Sequence, residues 1–144
     1  MYTQLLGRDV SVAVAPAALR SSGAAVFGTY RRVSDDSLIV VKADLALMAS
    51  IGGVLVGLPE DVVQARVKQG TLDEVLQDAI HEVLNITSTP LSEDGRVVFK
   101  RLDLAYSGVS QNAKDVMVNN TPDANLVLTV KGYTGGRLSI WLSH

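Results

Sequence analysis

Cysteine is missing from this chain of 144 residues. Its absence removes disulfides, thiolate nucleophiles and cysteine-bound metals together, and it favours a reducing, cytoplasmic setting. Histidine is scarce, with only His81 and the terminal His144. A metal held by paired imidazoles is therefore not expected, nor is a Ser-His-Asp relay. Neither sign of charge dominates: 13 Lys and Arg stand against 15 Asp and Glu, with no long run of either. Nothing in that balance points to nucleic acid or to an anionic membrane. The longest apolar stretch, residues 43–58, is broken by Asp44, Ser50, Gly52, Gly53 and Gly57 and is too short to span a bilayer. The opening MYTQLLGRD is too short and too polar for a signal peptide. Glycine-rich phosphate loops of the GxxxxGKS/T and GxGxxG kinds are absent, and so is a GxSxG elbow.

What is present is a globular composition, 47% apolar and 19% charged, over a length that suits one domain, residues 1–144. Valine-rich alternation predicts strands over 10–15, 24–32 and 38–42, with Val26, Phe27 and Tyr30 as anchors of the second. Asp44 is placed to cap a helix over 45–56. That helix is apolar almost all round, which predicts deep burial, and Gly52 and Gly53 within it predict close approach of another element. Gly57 is its natural stop. A short amphipathic helix follows over 59–68, with Val62, Val63 and Val67 inward. Further on, a strand is expected over 96–106, a polar loop over 107–114, a short strand over 115–118 and a hairpin of 125–133 with 137–142 around Thr134-Gly135-Gly136. Trp141 reads as a core or sheet-face residue. Strands, then helices, then strands predict an α+β domain, with a two-layer, mostly antiparallel mixed sheet carrying two main helices on one face.

The strongest helix signal is the second of those two main helices, residues 70–88, GTLDEVLQDAIHEVLNITS. Thr71 with Glu74 forms a capping box. Leu72, Val75, Leu76, Ala79, Ile80, Val83, Leu84 and Ile86 recur at helical spacing as one apolar arc. Pro90, which has no N–H to donate, is expected to end the helix. Asp78, Glu82 and Asn85 fall together on the opposite side, an acid one turn before a carboxamide. His81-Glu82 resembles the start of a zinc-protease HExxH, but Asn85 stands where the second imidazole would be, so no metal site is expected. The basic pairs Arg31-Arg32 and Lys100-Arg101 read as solvated strand positions. Polar residues on a helix face are ordinarily just its wet side, so the three carry meaning only through their kind and order.

In kind and order, Asp78-xxx-Glu82-xx-Asn85 resembles the D/S-xxx-E-xx-N signature of the CheC/CheX/FliY chemotaxis phosphatases. The context is similar too: a strand over 38–42, a buried helix ending Leu55-Val56-Gly57, then the signature helix. The likeness covers residues 26–85. It implies a CheX-like fold and a CheY-like response regulator as partner. Asn85 would then orient a water in line with the regulator's aspartyl phosphate. Glu82 would pair with the regulator's active-site lysine, and Asp78 would complete the partner-binding face. No cofactor is implied in this chain, because magnesium would be carried by the partner. A homodimer is compatible with the family. The alternative is a catalytically silent CheX-like module that binds a signalling partner or dimerises.

Overall fold

Alternating apolar residues, many of them β-branched, build one sheet whose two faces are both put to use. A computed structural model describes residues 10–14, 24–69, 74–92, 95–130 and 136–142. Its elements are β1 (Val10–Val14), β2 (Ala25–Arg32), β3 (Leu38–Asp44), α1 (Leu45–Val56), α2 (Glu60–Gln69), α3 (Glu74–Leu91), β4 (Val97–Asp103), a 3₁₀ turn (Tyr106–Gly108), α4 (Gln111–Asn119), β5 (Ala124–Val130) and β6 (Gly136–Leu142). The six strands run in the order β1-β5-β6-β3-β2-β4, and every pairing is antiparallel. β3 lies inside the sheet between β2 and β6, as its nearly continuous apolar run requires.

The period of two in β3 separates the cores. Ile39, Val41 and Ala43 face α1 and α3, while Val40 faces the other way. On the first face, Val26 and Tyr30 of β2 and Leu138 of β6 pack under Leu47, Met48 and Ile51 of α1 and Leu76, Ile80 and Leu84 of α3. The expected pair of main helices thus shares one face. Gly52 and Gly53 permit the close approach they predicted. A Cβ at Gly52 would lie 3.1 Å from Ala79 Cβ of α3, and one at Gly53 would lie 2.5 Å from Val63 Cγ2 of α2. Gly57 ends α1 in the left-handed conformation, φ 76°.

Four expectations are corrected. Residues 107–118 hold a 3₁₀ turn and α4, not a loop and a strand. Ser110 caps α4 by accepting a hydrogen bond from the Ala113 N–H, and Ala113, Val116 and Met117 recur at helical spacing against Phe27, Val40 and Trp141 on the second sheet face. Packing on that face outweighs the strand propensity of the β-branched valines. Asp44 occupies the N-cap position of α1 but makes no capping hydrogen bond; its Oδ2 accepts instead from the Arg137 N–H of β6 at 2.9 Å. α3 does not end before Pro90 but runs through it to Leu91. The missing N–H removes a single i to i−4 bond close to the helix end, and the hydroxyls of Ser88 and Ser92 donate to the carbonyls of Asn85 and Ser88 in that last stretch. Finally, Val75 does not face the core: it is 53% exposed.

The capping box at Thr71, the apolar position Leu72, the turn after Pro16 and the hairpin turn at Thr134-Gly135 lie outside the described residues. Among the described residues no helix is long and apolar enough to cross a membrane.

Candidate functional site

A helix that buries one side against a sheet must show the other to solvent, and α3 does so cleanly. Leu76, Ala79, Ile80, Val83 and Leu84 are buried. Asp78, Glu82 and Asn85 are all exposed. At about 100° per residue they fall within an arc of about 60°, and at about 1.5 Å per residue they span roughly 10 Å of axis. None of the three side chains has a hydrogen bond or ion pair among the described residues. Asn85 sits six residues before the end of α3, well clear of the fraying last turn.

The backbone beneath these residues is held from two sides. Tyr30, fully buried on β2, donates its hydroxyl to the Leu84 carbonyl at 2.7 Å. Gly28 makes the approach possible, since a Cβ there would stand 3.2 Å from the Tyr30 ring and 3.3 Å from Leu84 Cδ2. Phe99 of β4 stacks at a tilt on Tyr30, with centroids 5.2 Å apart, and makes a T-shaped contact with the His81 ring, centroids 4.9 Å apart. His81 thus packs on an aromatic neighbour. A rigid helix is what positioning chemistry needs, because small displacements of a positioned group carry large rate penalties.

Beyond Asn85 an open groove of about 340 Å³ runs between the end of α3 and the start of β4, lined by Asn85, Ser88, Thr89, Ser92, Arg96 and Phe99 among others. The hydroxyls of Ser88 and Ser92 are engaged with backbone carbonyls. Arg96 immediately precedes β4 and Phe99 lies within it, so no periodicity within α3 could have found them; the available signal is a cation just before the strand that follows the helix. On the second sheet face a wider groove of about 590 Å³ lies among Phe27, Lys42, Leu104, Tyr106, Met117 and Trp141. It is far from the α3 triplet, across the sheet.

The other sequence candidates have structural partners. Arg31 pairs with Asp36, and Arg32 lies 3.7 Å from Asp35 across the β2–β3 turn. The Ser37 hydroxyl and N–H both donate to Asp35 and hold its carboxyl below the usual aspartate range, with Arg32 adding to the effect. Arg101 bridges Asp103 and the Gly108 carbonyl, both at 2.8 Å, and so ties β4 to the 3₁₀ turn.

No protein-family model matches this sequence, and no curated protein matches it by sequence. Its fold does have solved relatives. FliY from Thermotoga maritima superposes with a TM-score of 0.61 at 18% identity, over 99% of this chain and 80% of that one. The FliM middle domain from H. pylori superposes with a TM-score of 0.52 at 12% identity, over 97% and 79%. A chain of the H. pylori FliG-FliM complex does so with a TM-score of 0.50 at 9% identity, over 97% and 81%. At these identities the likeness is one of fold, and the chain has the α+β fold of FliY, one of the proteins whose signature the α3 triplet resembles.

Proposed function

We propose that this chain docks a phosphorylated CheY-type response regulator across the exposed face of α3 and hydrolyses its aspartyl phosphate. The observation that carries the reading is the free, adjacent exposure of Glu82 and Asn85 on a helix anchored at Leu84. Asn85 orients a water with its carboxamide, which both donates and accepts hydrogen bonds. The water oxygen forms a bond to phosphorus as the bond from phosphorus to the aspartyl oxygen breaks. The carboxylate leaves with the electron pair, inorganic phosphate departs and the water's proton passes to phosphate or solvent. Glu82 pairs with the regulator's active-site lysine and fixes register, and Asp78 extends the contact by one turn. Magnesium is brought by the regulator. Reactions of this class need positioning and charge neutralisation more than covalent help, so three uncharged or acidic side chains on a firm helix suffice. The reading places the protein in the cytoplasm, where its partner works.

The test is dephosphorylation of a phosphorylated CheY-type regulator from the same genome. Asn85→Ala is expected to lose one or more decades in rate, with binding kept. Glu82→Ala is expected to weaken binding. Equal rates for wild type and Asn85→Ala would eliminate the reaction.

A second reading has its own support. The fold is also similar to that of the FliM middle domain, FliM is found in a complex with FliG, and a shared fold does not carry an activity with it. In this reading the α3 face is a docking stripe without turnover, or the open edges β1 and β4 pair a second copy. Binding to a regulator without hydrolysis, or a dimer by light scattering, would favour it.

A further inference from the structure

The groove that begins at Asn85 is chemically lopsided. Of its polar lining side chains, Ser88 and Ser92 are committed to backbone carbonyls, and the Val97 N–H closes on Ser92 Oγ at 3.0 Å. The Asn85 carboxamide, the Thr89 hydroxyl and the Arg96 guanidinium have no partner among the described residues. Arg96 is the one charged group among the described lining residues. Upstream of Asn85 the exposed face of α3 carries the acids Glu74, Asp78 and Glu82, whereas the groove that begins at Asn85 has a cation and no acid among its described lining residues. A volume of about 340 Å³ holds on the order of ten waters at about 30 Å³ each. That is room for a phosphoryl group together with an attacking water.

We propose that Arg96 binds the phosphoryl oxygens of the docked partner, reaching them across the groove from Asn85, and so makes docking selective for the phosphorylated state. The proposal rests on the regulator-docking reading above. The chemistry favours arginine for the role. Its planar fork matches phosphate oxygens two at a time, and it stays charged at any working pH. Spread negative charge on a transferring phosphoryl group is what such a cation offsets. The Arg96 backbone carbonyl is already fixed by the Val33 N–H at 2.8 Å, so removing the exposed side chain leaves the strand entry intact.

The experiment measures binding of the full chain to a CheY-type regulator from the same genome, bare and activated with beryllofluoride and magnesium. Beryllofluoride stands in for the phosphoryl group. Wild type is expected to prefer the activated form. Arg96→Ala should lose about tenfold on the activated form, the scale of one charge-assisted contact, and less than twofold on the bare form. Arg96→Lys, which keeps the charge without the fork, should recover part of the loss. An equal loss on both forms, or none on either, overturns the proposal for Arg96. If wild type binds neither form, the docking reading itself fails, and that result is separate because it does not involve the variant.

Discussion

The hydroxyl of Tyr30 donates to the carbonyl of Leu84 at 2.7 Å, in the interior, across 54 positions of sequence. Leu84 is the residue before Asn85, so β2, an interior strand of the sheet, grips the helix at the point where the carboxamide leaves it. Tyr30→Phe keeps the ring and its stacking on Phe99 and deletes the hydroxyl that donates to Leu84. It is expected to cost about 1 kcal/mol of stability, the net worth of a typical hydrogen bond, measured by urea unfolding. If the grip positions Asn85, the same variant lowers turnover by more than its stability loss explains.

Gly53 and Val63 make a sharper case, because two effects of opposite sign compete there. Alanine in place of a helical glycine gains about 1 kcal/mol. A Cβ at position 53 would, however, lie 2.5 Å from Val63 Cγ2. Val63 is fully buried and, being β-branched in a helix, has little rotamer freedom with which to withdraw. Overpacking of this kind costs about 1–3 kcal/mol, so Gly53→Ala is expected to destabilise by about 1 kcal/mol. In a Val63→Ala background the clashing methyl is gone and the sign reverses. There Gly53→Ala should stabilise, by about 1 kcal/mol. A four-variant unfolding cycle reads both values.

These residues also show how far the sequence could be read. Period carried the first core: the strands, α1 to its last residue, and the buried line of α3 follow from apolar spacing, and Gly52 with Gly53 announced close packing. The exposed face shared by Asp78, Glu82 and Asn85 was legible because spacing along one helix survives folding. What period could not show was anything brought from another element. Asp44 lost its capping role to an N–H on β6, 93 positions away. Arg96, just before β4, and Phe99, within it, reach the Asn85 groove from outside α3. Val116-Met117-Val118 looked like a strand because β-branched residues dominate a short window, while the capping hydroxyl of Ser110 and the sheet face beneath it decided for helix. Val75 fitted the apolar arc by spacing yet lies at its rim, beside Asp78 and Glu82 on the open face.

Asp35 gives the fold a defined acid response. The Ser37 hydroxyl donates to it at 2.6 Å and the Ser37 N–H at 3.0 Å, and its pKa is lowered below the ordinary aspartate value. The folded chain thus holds that proton less tightly than the unfolded chain. The contribution is complete above the unfolded pKa of about 3.9 and fades as pH falls through the lower folded value. A carboxyl-detected NMR titration should place the Asp35 midpoint below the usual range. Ser37→Ala, which deletes the largest cause, should move it upward. A midpoint that stays put in the variant would show that the hydroxyl is not the cause.

Val75 offers a test of the docking face that leaves the proposed chemistry untouched. It is an exposed valine lying three residues before Asp78 and seven before Glu82, on the same side of the helix. A partner laid along α3 would cover it. Val75→Asp adds a further acid beside Glu74, Asp78 and Glu82 without disturbing the core. Regulator binding is expected to weaken by about 1 kcal/mol or more, through lost apolar burial and added desolvation, while single-turnover hydrolysis at saturating regulator stays near wild type. Unchanged binding would place the partner's footprint elsewhere.

The helix that sequence missed can be probed by the chain's single tryptophan. α4 has nine residues, too few to persist without tertiary contact, so its cap and its packing on the second face must act together. Trp141 lies under it, 8% exposed, and its indole N–H donates to the Asn120 carbonyl just past the end of α4 at 3.2 Å. Ser110→Ala removes the hydroxyl that accepts from the Ala113 N–H and is expected to cost about 1 kcal/mol. Because the α3 face lies across the sheet, binding there should be unaffected. Fluorescence from Trp141 should instead shift to the red in mild denaturant before the far-ultraviolet signal of the whole chain falls, as α4 lifts and water reaches the indole. Coincident transitions from the two probes would mean that α4 leaves the sheet only when the entire domain unfolds.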